Sequence, residues 1–178
     1  MTIRTATVQD YPAIRELTQA AYIAAGHIEP GSQYAAQLTD IRARSEGLFV
    51  AEVDGQIAGS VNIAMPGSAM AEIAYSNELE FRMLAVHPAF QGQGIGRALV
   101  DSVLEMARQH DLDSVAITTM ASMTTAQNMY HRMGFKRAPE RDWNLYTAGI
   151  VDDETGLETF LVYVHPLKRN HLVKETHG

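Results

Sequence analysis

Apolar and polar positions change their period several times along the chain, and each change marks an element. Ile3, Ala6 and Val8 stand among polar residues as a short first strand. Thr7 and Asp10 then have the spacing of a capping box, ahead of Ile14, Leu17 and Ala21 at helical intervals. Gly26 and Pro30-Gly31 break that pattern, and a more polar helical stretch over residues 34–44 follows, placed to border a cleft. Residues 48–53 and 57–63 are apolar runs on either side of Asp54-Gly55, a dipeptide that supplies the positive φ angles of a tight hairpin. Residues 65–77, with Pro66 and Gly67, read as a loop, and 79–86 as a strand closed by His87-Pro88.

The helical period returns with Ile95, Leu99, Ser102, Val103 and Met106 and predicts about four turns ending near His110. Residues 114–119 form a β-branched run, 124–133 a helix stopped at Gly134, and 160–164 a last strand ending at Pro166. Residues 137–158 read as a strand and a long hairpin loop. Strand, helix, strand, helix, strand is the α/β order.

Composition narrows this picture. A chain of 178 residues supports one core that buries roughly 70% of the unfolded surface. We therefore expect one domain over residues 1–167 and a polar tail over 168–178. A formal charge of -7 disfavours binding along a phosphate backbone, so nucleic acid is not an expected partner. The absence of cysteine excludes disulfides, thiolate zinc sites and a cysteine nucleophile, and fits a reducing compartment. The first ten residues lack the basic-then-apolar order of a leader, and no stretch approaches the roughly 20 apolar residues of a membrane span. The expectation is a cytoplasmic protein without a membrane partner or a metal.

The candidate chemistry lies between strand and helix, in Gln91-Gly92-Gln93-Gly94-Ile95-Gly96-Arg97. Glycines let an anion approach main-chain amides that a Cβ would shield, and a helix N-terminus adds unpaired N–H donors and a favourable dipole. A P-loop requires Lys and then Ser or Thr after its last glycine, whereas Gly96 is followed by Arg97 and Ala98. The dinucleotide fingerprint requires GxGxxG, whereas the spacing here is GxGxG, with no acidic ribose partner about 20 residues on. A pyrophosphate site and a plain helix cap with incidental glycines both remain open on the loop alone.

Taken together, Leu84-Ala85-Val86-His87-Pro88, Gln91-x-x-Gly94-x-Gly96, residues 126–130 and Gly134-Phe135 resemble the signature of the GNAT superfamily of acyl-CoA-dependent N-acyltransferases. The resemblance covers residues 80–135 most closely. It implies a single domain with a mixed, largely antiparallel, twisted sheet flanked by helices, whose central strands splay apart to admit the pantetheine arm. It implies acetyl-CoA as acyl donor, and transfer of its acetyl group to a primary amine by direct attack with acid and base assistance. Main-chain groups of Leu84, Ala85 and Val86 would meet the pantetheine. The amides of Gln91, Gly92, Gln93, Gly94, Ile95, Gly96, Arg97 and Ala98 would hold the pyrophosphate. Tyr130 matches the family's tyrosine acid beside the thioester sulfur, with a buried core tyrosine as the alternative.

Glu80 matches the glutamate base of some members. A period of two puts Glu80, Arg82, Leu84 and Val86 on one face, where Arg82 can instead make Glu80 half of an ion pair. Glu78 and His87 are the fallback bases. The chain departs from the family at Met123, where many members carry an asparagine that bonds the cofactor, and Asn128 lies on a different helical face. Acceptors in keeping with the resemblance are a polyamine-like metabolite, an aminoglycoside, an amino acid or a protein N-terminus. Their specificity would sit in residues 22–44, 65–77 and 143–158, with Trp143 either lining the pocket or anchoring the core. The competing function is a non-catalytic acyl-CoA sensor; a longer acyl donor and a homodimer are further expectations by analogy.

Overall fold

The computed structural model describes residues 1–167; the tail read at 168–178 lies outside the described residues. Seven strands form one sheet: β1 (Thr2–Thr5), β2 (Leu48–Val53), β3 (Gln56–Ala64), β4 (Glu78–Val86), β5 (Ser114–Met120), β6 (Lys136–Arg137) and β7 (Phe160–Pro166). Their order is β1-β2-β3-β4-β5-β7-β6. All neighbours are antiparallel except β4 and β5, which run parallel. Asp54 (φ 50°) and Gly55 (φ 77°) make the β2–β3 turn with the positive φ angles expected of that dipeptide.

Among the described residues, four α-helices cover the sheet. α1 (Tyr11–Thr18) runs on into a wider π-helical turn over Gln19–Ala24, and α2 (Gln33–Thr39) starts at Ser32, whose hydroxyl accepts the Ala35 N–H at 3.1 Å. The expected helix over 34–44 stops at Thr39 because Asp40 leaves helical geometry. α1 and α2 pack on one face through Leu17, Tyr22, Leu38, Met83 and Ala85. α3 (Ile95–Gln109) lies on the other, inserting Ile95, Leu99, Val103 and Ala107 against Val61, Ile63, Phe81 and Ile117. α4 (Thr124–Arg132) adds Tyr130 to the same core. Residues 137–158 keep only a fragment of the expected strand. A short turn at Pro139–Arg141 and a bridge from Trp143 to Phe160 take its place.

Two irregularities in the sheet shape the centre of the molecule. β4 pairs with β5 only over Glu78–Phe81 and Ser114–Ile117, and beyond those four residues the strands part. On its other side, β4 uses three steps, Arg82 to Ala85, where β3 uses two, Asn62 to Ser60. The extra residue is a β-bulge, and Met83 within it has φ 56°. A bulge reverses which side chains point to which face. Glu80 and Arg82 pair with Ala64 and Asn62 and share the α1/α2 side with Met83 and Ala85. Leu84 and Val86 pack on the α3 side with Phe81. The uniform alternation expected from the sequence, with Glu80, Arg82, Leu84 and Val86 on one face, is therefore corrected. No glycine marks the bulge, so nothing in the local sequence announces it.

Candidate active site

The glycine turn follows β4 through a short turn at Pro88–Phe90, where His87 Nδ1 accepts the Ala89 N–H at 3.0 Å. Gly92 and Gly94 both have φ 77°, a conformation glycine adopts without strain, and Gly94 is the N-cap of α3. The first helical bond runs from the Ala98 N–H to the Gly94 carbonyl at 3.0 Å. Among the described residues, the amides of 92–97 meet no hydrogen-bond acceptor, so an exposed turn presents a run of donors at a helix N-terminus. The Gln91 N–H has a long bond of 3.4 Å to the Pro88 carbonyl, and the Ala98 amide already closes the first turn. Arg97 is exposed beside the run. This donor set suits a pyrophosphate, so the coenzyme expected from the sequence fits the residues present.

The turn leads onto the free edge of β4. The His87 N–H reaches the Ala58 carbonyl at 2.8 Å, and the ladder alternates from there. Ala85 faces β3 with its main chain, opposite Ser60, whereas Val86 and Leu84 turn theirs towards the gap. The three expected edge residues thus divide into two whose main chain faces the gap and one whose main chain pairs with β3. The Leu84 carbonyl accepts a hydrogen bond of 2.6 Å from the hydroxyl of Tyr22, a residue of the π-helical turn. Burial holds that phenol well above the ordinary tyrosine value. The sequence places Tyr22 only within a broad specificity region. A contact 62 residues away along the chain leaves no local signature.

Tyr130 comes from the last turn of α4 and is 3% exposed. Its ring packs edge-on to Phe81 at 5.8 Å and tilts against Phe135 at 5.5 Å and Tyr163 at 6.1 Å. Among the described residues its hydroxyl makes no hydrogen bond. Burial raises its pKa, which keeps the proton on the phenol. The ring is part of the core, and the hydroxyl keeps its proton.

Glu80 is fully buried. Its Oε2 accepts the N–H groups of Glu72 at 2.7 Å and Ile73 at 3.1 Å, while Oε1 has no partner among the described residues. Burial raises its pKa, opposed by those two amides and by the charge of Arg82. Arg82 does not pair with Glu80; its Nη2 meets Glu72 Oε1 at 2.9 Å. Of the fallback bases, Glu78 is committed elsewhere. Arg141 engages it through both terminal nitrogens, at 2.6 and 3.1 Å, and the Ser114 hydroxyl donates to it at 2.6 Å. His87 stands at the turn, with Nε2 4.0 Å from Glu16.

Met123, at the position of the family's asparagine, precedes α4 and packs with Met120 against the cluster of Tyr22, Met83 and Ala85. Asn128 is exposed. Trp143 is half-buried, its ring tilted against Phe160 at 4.6 Å, with its indole N–H bonded to Thr118 of β5 at 3.1 Å. Among the described residues, no cluster of three or more His, Asp or Glu could hold a metal ion, and no helix is long and apolar enough to cross a membrane.

The chain is 37% identical over 138 residues to a mycothiol acetyltransferase of Cellulomonas flavigena, covering 72% of this chain and 38% of that protein. It is 34% identical over 104 residues to N-acetyltransferase 8 of Rattus norvegicus, covering 58% and 46%. It thus spans under half the length of these two relatives. The fold matches an acetyl-CoA-bound chain from Salmonella typhimurium with a TM-score of 0.66, at 20% identity and 98% coverage of both. Residues 11–135, from the start of α1 to the turn after α4, match the Acetyltransferase (GNAT) family, and with the open β4 edge and the amide-lined turn in place the chain belongs to that family.

Proposed function

We propose that this chain is an N-acetyltransferase that moves the acetyl group of acetyl-CoA to a primary amine. The observation that carries the reading is one continuous track of main-chain groups. Unpartnered amides at the start of α3 lead to the gap-facing edge of Val86 and Leu84, and Tyr130 and Glu80 lie on opposite faces beyond it. Acetyl-CoA supplies the activated acyl group and a thiolate leaving group.

Each residue then has one task. Amides of residues 91–97, with the charge of Arg97, hold the pyrophosphate, while the Ala98 amide closes the first turn of α3. Leu84 and Val86 pair their main chain with the pantetheine amides, as a sheet edge pairs with an added strand, and Ala85 anchors that edge to β3. Glu80 Oε1 takes a proton from the attacking ammonium, directly or through water; a carboxylate with a raised pKa is better matched to an amine than an ordinary glutamate. The Tyr130 hydroxyl gives its proton to the departing sulfur.

Thiol release measured across amine classes, with calorimetry for CoA binding, tests the assignment. We expect Tyr130→Phe to lower kcat by about 10²-fold or more while CoA affinity stays within a factor of about two. A protein that binds CoA but releases no thiol with any amine would instead be the non-catalytic sensor. A folded protein without CoA affinity would remove both readings.

A further inference from the structure

Beside Glu80, where β4 and β5 part, a cation is held by a single ion-pair contact. Arg82 is the first residue of β4 past its pairing with β5, and it stands two residues from Glu80 on the same face. Its side chain is only 12% exposed, in a region where a charge loses much of its hydration. Its one ion-pair partner is exposed. One terminal nitrogen meets Glu72, which belongs to the 65–77 loop and is 42% exposed, and the other lies 3.4 Å from the Met70 carbonyl, at the limit of a hydrogen bond.

Three other arginines of this protein show what a structural pair looks like here. Arg4 with Asp10, Arg137 with Asp142 and Arg141 with Glu78 each engage both carboxylate oxygens through two terminal nitrogens, at 2.6 to 3.1 Å. Arg82 alone among these four has a single-contact partner on an exposed loop. A guanidinium that meets its carboxylate through one nitrogen only can exchange that contact for the two-point one a planar carboxylate fits. Tyr34 of α2 closes the other side; its buried phenol hydrogen-bonds the Arg82 side chain and feels the charge of Glu72.

We infer that Arg82 binds a carboxylate on the acceptor, exchanging its contact with Glu72 for a bidentate one, and that the acceptor is a free α-amino acid or a compound with that head group. This rests on the acetyl-transfer reading. In such a molecule one carbon separates amine from carboxylate, so a carboxylate on Arg82 delivers the amine towards Glu80, the neighbouring side chain on that face. A polyamine, an aminoglycoside or a peptide N-terminus brings no carboxylate to that place.

The test compares thiol release from acetyl-CoA with the standard amino acids and with their α-carboxamides. We expect at least one acid to exceed its amide by about tenfold or more in kcat/KM, the scale of a charge-assisted hydrogen bond. Arg82→Gln should bring that acid-to-amide ratio close to one, with the loss mainly in the KM of the acid. Glu72→Gln, which removes the internal competitor, should keep the ratio and lower the KM of the acid. Amides used as well as acids by the unaltered protein, or a ratio untouched by Arg82→Gln, would overturn the inference while leaving acetyl transfer intact. A Glu72→Gln protein that loses the acid as Arg82→Gln does would show the pair to be structural, with the same consequence. Absence of thiol release with any amine would remove the acetyl-transfer reading itself, and this inference with it.

Discussion

At the scale of single residues, Glu80 is the side chain whose charge the fold leaves in balance. Two amides favour its ionised form, and full burial with one oxygen unpartnered opposes it more strongly, so its pKa lies above the ordinary glutamate value. A base must be ionised to act. We therefore expect the acid limb of kcat/KM against pH to fall above that value, and Glu80→Gln to lose the limb along with about 10²-fold in rate. Stability carries the opposite sign. Because the folded pKa exceeds the unfolded one, the fold prefers the neutral carboxyl. Its contribution is complete below the unfolded value and is lost as pH rises through the folded value. Gln keeps an oxygen for the two amides without the charge. Its thermal midpoint relative to the unaltered protein should therefore rise between acid and neutral pH; a constant difference would mean that the carboxyl does not titrate in that window.

At the scale of elements, α1 and α3 begin in different ways. α1 follows Asp10, which accepts the Thr7 N–H at 2.8 Å and is held by Arg4 at a pKa of about 2. That depressed value makes Asp10 stabilising above an unfolded value near ~3.9 and neutral in effect once pH falls through about 2. Arg4 is one-third exposed and partly screened, so Asp10→Asn should cost about 1 kcal/mol at neutral pH, with the difference closing in strong acid on denaturant titration. α3 depends on two glycines for unrelated reasons. A Cβ on Gly94 meets nothing within 4 Å, and its substitution by Ala strains only the left-handed backbone, at about 1 kcal/mol. A Cβ on Gly59 would stand 2.9 Å from Ile95 Cγ2 and 3.0 Å from Leu99 Cδ1, lifting the start of α3 off the sheet. Gly59→Ala should cost about 1–3 kcal/mol and weaken CoA binding in calorimetry. The sequence made Gly94 legible, because a turn residue announces itself locally, as did Asp54-Gly55 and the period of α3. It left Gly59 unmarked, along with the bulge at Met83, the Tyr22 bond to Leu84 and the Glu72 partner of Arg82. Those four depend on which segments meet across the sheet, and no neighbour in the chain encodes them.

At the scale of the whole molecule, the sheet consists of two parts, β1–β4 and β5–β7, joined by four residues of parallel pairing. Two contacts reinforce that short seam: Phe81 of β4 against Tyr130 and Phe135, and Glu78 of β4 with Arg141 from beyond α4. Above the seam, β4 and β5 lack each other's hydrogen bonds, so a ligand that fills the gap adds main-chain bonds the free protein does not make. Hydrogen exchange resolves this residue by residue. In the free protein the gap-facing amide of Val86 should exchange faster than that of Ala85, which faces β3. Saturating CoA should slow Val86 and leave Ala85 nearly unchanged. The same binding favours only the folded state. At a ligand concentration of 100 Kd it adds about 2.7 kcal/mol, which for a chain of this size raises Tm on the order of 5–10 °C. A Val86 amide as protected as Ala85 before ligand is added would mean that the edge is closed. The gap could then not be the route by which the coenzyme reaches Tyr130.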